Sequence, residues 1–218
     1  MIGVVGGGQL ARMLVQAANK RAIPVSVQTS STADPAAELA QRLVTADPRD
    51  VAGTRQLVEG CNGITFENEW INIDALMPLE QQGVLFRPSL ASLSPLVDKL
   101  SQRQLLDDLS IASPPWCPLS RVSPAQPSLP QGWTFPVMAK SARGGYDGKG
   151  TRVIRTIEAL AQLIRTVDVS DWLLESWVSY ERELALICSR DRQGRVRSYP
   201  LVETHQSHQV CDWVLAPA

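Results

Sequence analysis

Lys140-Ser141-Ala142-Arg143-Gly144-Gly145-Tyr146-Asp147-Gly148-Lys149-Gly150-Thr151 places four glycines and three cations within eleven residues. The flanking runs, Pro136–Ser141 and Thr151–Arg155, read as strands, so the loop joins strand to strand. A P-loop instead needs GxxxxGK[ST] opening a helix, which this stretch does not provide. Glycines let a loop fold closely over phosphate oxygens, and Lys140 supplies a fixed cation on the preceding strand. That combination suits a triphosphate. The alternative is a hairpin tip whose charges are merely solvated.

Outward from this loop the chain changes rhythm. On the carboxyl side, Ile157–Ile164 has helical spacing with Leu160, Leu163 and Ile164 inward, and Trp172–Glu175, Glu183–Ser189 and Arg195–Val202 read as strands, with a hairpin turn at Asp191–Gly194. This half is expected to be α+β. On the amino side, Asp98–Leu109 reads as a helix with Leu100, Leu105, Leu106 and Leu109 on one stripe, followed by a connector broken at Pro114, Pro115, Pro118, Pro124, Pro127 and Pro130. Residues 1–97 alternate strands (Met1–Val5, Ile23–Val27, Asn62–Glu67, Val84–Phe86) with helices. Those helices are Gln9–Ala18 with Leu10, Met13, Leu14 and Ala17 at helical spacing, one capped by Asp50 that carries Val51, Leu57 and Val58, and Asp74–Gln82. Repeated strand–helix–strand units predict a parallel sheet covered by helices. The expected division is 1–97, α/β, and 98–218.

Composition narrows the function. With 218 residues, 44% apolar and 20% charged, the chain is ordinary globular material. Lys plus Arg (21) balance Asp plus Glu (22), which argues against a nucleic-acid footprint. No apolar run reaches the roughly 18 to 20 residues that span a bilayer, and no secretory leader is expected at Met1–Val5. Cys61, Cys117, Cys188 and Cys211 form no CxxC pair and suggest free, mostly buried thiols in the cytoplasm.

A second glycine turn, Val4-Val5-Gly6-Gly7-Gly8-Gln9-Leu10-Ala11, satisfies the loose GxGxxA form of a dinucleotide fingerprint. An NAD site would also want an acid at the end of the second strand, whereas that strand runs out as Val27-Gln28-Thr29-Ser30-Ser31 and the nearest acid is Asp34. A tight strand–helix turn without a ligand and a site for another phosphate-bearing ligand both remain open. His205 and His208, the only histidines, read as solvated hairpin residues rather than metal ligands.

Gly144–Gly150 preceded by Lys140 resembles the nucleotide-covering loop of the ATP-grasp superfamily. Within it, the chain is similar to the N5-carboxyaminoimidazole ribonucleotide synthase family, the ATPase component of phosphoribosylaminoimidazole carboxylase. Supporting runs are Gly7-Gly8-Gln9-Leu10-Ala11-Arg12-Met13-Leu14, Thr65-Phe66-Glu67-Asn68-Glu69, Asp98-Lys99-Leu100-Ser101-Gln102-Arg103-Gln104 and Tyr199-Pro200-Leu201-Val202-Glu203, in the family's order and near its spacing. The resemblance implies a biotin-carboxylase-like, Rossmann-related amino-terminal domain followed by a partial ATP-grasp domain. It also implies use of MgATP and bicarbonate to carboxylate 5-aminoimidazole ribonucleotide in purine biosynthesis, giving ADP and phosphate.

By the same resemblance, Lys140 contacts the α- and β-phosphates, and Gly145, Tyr146, Asp147, Gly148, Lys149, Gly150 and Thr151 close over the triphosphate. Lys99 stands at a nucleotide-contacting position where Arg is usual, which keeps charge but loses bidentate geometry. Glu175, Ser176, Trp177 and Val178 form the strand that grips adenine, unless Trp177 is simply core. Glu183 holds the ribose hydroxyls, unless it is an exposed strand charge, and Gln206 stands where many members have His. Gly8, Gln9 and Leu10, Glu67 or Glu69, and Tyr146 with Lys149 (again in place of Arg) are implied for the imidazole ribonucleotide. Glu67 and Glu69 flanking Asn68 are equally readable as a helix-capping turn. Members of the family run past Ala216-Pro217-Ala218, and their magnesium-binding carboxylates come later. No metal ligand is therefore assigned in this chain, and the expectation is impaired turnover with a partly exposed sheet edge. Complete members are expected to be homodimers, and a catalytically silent nucleotide-binding or assembly module is the alternative reading.

Overall fold

The computed structural model describes residues 1–145, 150–208 and 210–218. The chain divides into two compact units, Met1–Leu105 and Leu106–Ala218.

In the first unit β1 (Ile2–Val5), α1 (Gln9–Asn19), β2 (Val25–Thr29), β3 (Arg42–Thr45), α2 (Val51–Val58), β4 (Gly63–Phe66), α3 (Ile73–Gln81) and α4 (Leu90–Leu93) follow one another, and α5 (Lys99–Asp108) contains the boundary between units. The sheet has the order β3-β2-β1-β4, with every pair parallel. Alternation along β1 sends Val4 to one face, against Ala11, Val15 and Val27, and Val5 to the other, against Leu57, Ile64 and Phe86. Helices therefore cover both faces, as a parallel sheet requires. Asp50 caps α2 by accepting from Ala52 N at 2.9 Å, and Asn72 caps α3 by accepting from Ala75 N at 3.1 Å. At the other end of α2, the Arg42 guanidinium donates to Gln56 O and Leu57 O at 3.1 and 2.6 Å, where a cation meets the negative end of the helix dipole.

Several elements differ from the sequence expectation. The second strand is Val25–Thr29 rather than Ile23–Val27, because Pro24 sits at its mouth and Ile23 stays exposed. Val84–Phe86 forms only a single bridge, Ile64 to Phe86, instead of a strand. The stripe Leu10, Met13 and Leu14 on α1 is exposed, and the helix turns Ala11 and Val15 to the sheet instead. α5 buries none of its residues fully, and Leu109 lies open beyond its end.

In the second unit β5 (Trp116–Pro118), β6 (Val137–Ser141), β7 (Thr151–Ile154) and β8 (Trp172–Ser176) form an antiparallel sheet in the order β5-β8-β6-β7. β5 lies inside the stretch expected to be a connector. α6 (Ile157–Thr166) packs Leu160, Leu163 and Ile164 onto Val137, Ala139 and Leu174, the face the spacing assigns to it. The expected strands Glu183–Ser189 and Arg195–Val202 are each split. β9 (Glu183–Ala185), β12 (Val202–Ser207) and β13 (Val210–Leu215) form one antiparallel sheet, and β10 (Cys188–Arg190) pairs with β11 (Val196–Ser198) as a hairpin. Asp191 closes that hairpin by accepting from Gln193 N and Arg195 N at 2.9 Å each, with Gly194 at φ +80°. The thiols are free, but only Cys117 is buried and Cys61 half-buried; Cys188 and Cys211 are exposed, contrary to a mostly buried set. Burial pushes the Cys117 thiol pKa up.

Candidate functional site

In the second unit the glycine-rich loop leaves β6 after Ser141, one residue beyond Lys140, and returns at β7. Its base is pinched: Ser141 N donates to Gly150 O at 2.7 Å. Gly150 has φ +81°, and a Cβ there would collide with Ser141 Oγ, so glycine is required at that corner. Gly144 is also left-handed, at φ +71°. Gly145 and Thr151 are half-buried, and Thr151 lies opposite Lys140 in the β6–β7 register. Tyr146, Asp147, Gly148 and Lys149 lie outside the described residues.

Val137 and Ala139 face α6, so Lys140 points to the opposite face, which it shares with Met138 and with Leu173 and Glu175 of β8. There its ammonium donates to Glu175 Oε2 at 2.6 Å. The Lys140 side chain is 27% exposed and that of Glu175 only 4%. Ser176 ends β8 opposite Val137 and donates its N–H to Pro115 O at 2.9 Å. Trp177 and Val178 have left the strand, 45% and 46% exposed, which removes the reading of Trp177 as simple core. Glu183 opens β9, half-buried, opposite Thr204. Its negative charge, together with a hydrogen bond from the phenol, raises the Tyr180 pKa. Gln206 is exposed on β12, next to His205, whose ring stacks on Trp213 at 5.0 Å. His208 occupies the turn beyond at φ +50°, as a solvated hairpin residue would.

In the first unit β1 and β4 are adjacent and chain order reverses between them, so their carboxyl ends form the crevice where open α/β sheets hold ligands. Glu67 follows β4 directly and fills that crevice. Its carboxylate accepts from Gly8 N at 2.8 Å and Ala11 N at 3.3 Å, at the positive end of α1. The three glycines are explained by close neighbours: a Cβ on Gly6, already at φ +111°, would lie 2.6 Å from Glu67 Cβ, one on Gly8 would lie 2.5 Å from Glu67 Oε1, and one on Gly7 would collide with Thr29. These donors serve a carboxylate of the chain itself, in the place where a dinucleotide reading would put a pyrophosphate. Asp34 also stays local, accepting from the Thr29 hydroxyl.

Gln9 and Leu10 are exposed beside this loop. Glu69 is exposed in a turn where Asn68 Oδ1 accepts from Trp70 N at 3.0 Å and Glu69 O accepts from Ile71 N at 2.8 Å. Asn72, three residues further on, is the helix cap. Glu67 and Glu69 therefore differ completely in surroundings. Lys99 is half-buried at the first position of α5, behind Asp98, which caps the helix through Leu100 N and Ser101 N at 2.9 and 3.1 Å. Among the described residues no three Asp, Glu, His or Cys side chains converge on one point.

Gly8→Ala is expected to lower the urea stability of the first unit by about 2 kcal/mol, through overpacking against the Glu67 carboxylate. In a Glu67→Ala background the same change should cost less than half as much. Full additivity in the double variant would remove the carboxylate as the cause.

The chain is 42% identical over 217 residues to N5-carboxyaminoimidazole ribonucleotide synthase of Synechococcus elongatus, covering all of this chain and 55% of that protein. It is 45% identical to the enzyme of the same name from Synechocystis sp., covering 54% of it. Among solved structures, carboxyaminoimidazole ribonucleotide synthase of Aspergillus clavatus complexed with ATP superposes with a TM-score of 0.89 at 29% identity, over all of this chain and 57% of the other. The synthase of that organism in complex with ADP and 5-aminoimidazole ribonucleotide gives 0.86 at 27%, over 56% of its length. The chain thus spans about half the length of the relatives it matches. The ribonucleotide synthetase preATP-grasp domain matches residues 1–94 and the ATP-grasp domain matches residues 104–218. With more than half of its residues matched by that domain, behind an α/β unit of the kind that precedes it, the chain belongs to the ATP-grasp family.

Proposed function

We propose that this chain is the amino-terminal part of an ATP-dependent carbon–nitrogen ligase that carboxylates 5-aminoimidazole ribonucleotide with bicarbonate. The observation that carries the reading is the Lys140 ammonium, held at the mouth of the glycine loop on the β-sheet face opposite α6. Such a cation, fixed beside main-chain donors that glycines leave uncovered, suits the α- and β-phosphates of ATP. The exposed chain at Trp177 and Val178 offers backbone groups for adenine. Glu183 offers a carboxylate acceptor for ribose hydroxyls, and Gln206 a further hydrogen bond. Gly145 to Thr151 cover the triphosphate, and Lys99 adds a second cation.

In this reading residues 98–218 bind the nucleotide, and residues 1–97 bind the imidazole ribonucleotide through Gly8, Gln9 and Leu10, with Glu67 rather than Glu69 in its loop. The chemistry to be served is activation of bicarbonate by the γ-phosphate of ATP. For that the chain supplies orientation, charge neutralisation and exclusion of water. Mg2+ accompanies the nucleotide in such reactions, where it would supply charge neutralisation at the phosphate oxygens. The complete protein would act on small molecules in the cytoplasm as a homodimer, apart from nucleic acid and membranes.

The alternative reading is a nucleotide-binding module that does not turn ATP over. ADP release from MgATP, with and without 5-aminoimidazole ribonucleotide and bicarbonate, separates the two. Release that depends on the ribonucleotide is the ligase outcome. ATP binding without release is the module outcome, and absence of ATP binding overturns both.

A further inference from the structure

We infer that Glu175 is a positioning residue for Lys140, setting the phosphate-binding cation from the strand that leads to the adenine contacts. The inference rests on the nucleotide-binding reading above and assigns Glu175 a task different from touching the base. Met138 and Glu175 are direct cross-strand partners in the β6–β8 register, and Lys140 lies two residues further along β6, opposite Leu173. Lys140 and Glu175 are thus diagonal neighbours on one face, a separation that long side chains bridge. The Lys140 Nζ to Glu175 Oε2 distance is 2.6 Å.

Burial gives the pair its direction of influence. Glu175 is 3% exposed and its carboxylate is anchored inside the sheet, while Lys140 keeps a partly open head. A lysine ammonium sits on a flexible four-carbon stem, and by itself it would sample many rotamers at the loop mouth. A fixed acceptor on the next strand selects one of them before ligand arrives and so removes an ordering cost from binding. Because Glu175 directly precedes Ser176, Trp177 and Val178, a shift of β8 on engaging adenine moves the anchor of the phosphate cation as well.

The test is titration of the full 218-residue chain with ATP and separately with adenosine, for the native protein, Glu175→Gln, Lys140→Ala and the double variant. Glu175→Gln should weaken ATP about five- to tenfold and adenosine less than twofold. In the Lys140→Ala background it should have no further effect on ATP. A general disturbance of the sheet would weaken both ligands and persist in that background, overturning the proposal, and so would ATP affinity that is unchanged or higher in Glu175→Gln. If native protein binds adenosine but shows no preference for ATP, the nucleotide reading of Lys140 fails and the positioning role falls with it. Glu175→Asp keeps the buried charge and shortens its reach; if Glu175→Gln does not fold, it should show the same selective loss, and retention of native ATP affinity would overturn the role.

Discussion

Lys140→Ala should weaken ATP binding about 30- to 150-fold, corresponding to roughly 2–3 kcal/mol for loss of a charge-assisted contact to phosphate. The same change should lower the stability of the second unit by about 1–2 kcal/mol, because the Glu175 carboxylate, 4% exposed, loses its ammonium partner. The figure lies below that for a fully buried pair because Lys140 is 27% exposed and water can follow it in. Calorimetric titration measures the first effect and a urea transition the second. The two have different causes, so Lys140→Arg should recover most of the stability and less of the affinity, since a planar fork does not reproduce a point charge. Full ATP affinity in Lys140→Ala would place the phosphates elsewhere.

Gln28→Leu should cost about 3 kcal/mol of stability in the first unit, measured by the same urea transition. Gln28 is fully buried at the carboxyl end of β2. Its amide nitrogen donates to Asp47 O and Asp50 O at 2.8 and 3.0 Å, and its carbonyl oxygen accepts from the Thr54 hydroxyl at 2.9 Å. One side chain thus joins β2, the loop after β3 and the start of α2, with its hydrogen-bonding groups satisfied. Leucine has similar volume, so the loss is almost purely polar: the Asp47 and Asp50 carbonyls lose one of their donors, and the buried Thr54 hydroxyl loses its Gln28 acceptor. Gln28→Leu combined with Thr54→Val should cost less than the sum of the single changes, because the hydroxyl left behind is removed too. A loss under 1 kcal/mol in Gln28→Leu would mean that water replaces the amide.

The alternation of β and α in the first ninety-seven residues is legible in the sequence because buried parallel strands are short apolar runs and glycine marks the turn after β1. The inward face of α1 is not. Leu10, Met13 and Leu14 and, one residue offset, Ala11, Val15 and Ala18 both recur at three- and four-residue spacing, and hydrophobicity favours the larger set. The sheet takes the smaller one, since alanines let the helix approach closely. β3 is hidden because Arg42-Leu43-Val44-Thr45 is an edge strand with one fully buried side chain. In the candidate site, Lys140 and the glycines stand out by type and spacing. The partnership of Lys140 with Glu175 does not, because thirty-five residues separate them and only strand register unites them. Likewise, nothing local distinguishes Glu67 from Glu69; the parallel pairing of β4 with β1 does.

β13 is the outer strand of its sheet, with β12 on one side, and all six of its residues are exposed, including Val210, Trp213, Val214 and Leu215. The outward main-chain groups of such a strand can take up one further strand, so the sheet can be extended on this side without disturbing the β12–β13 pairing.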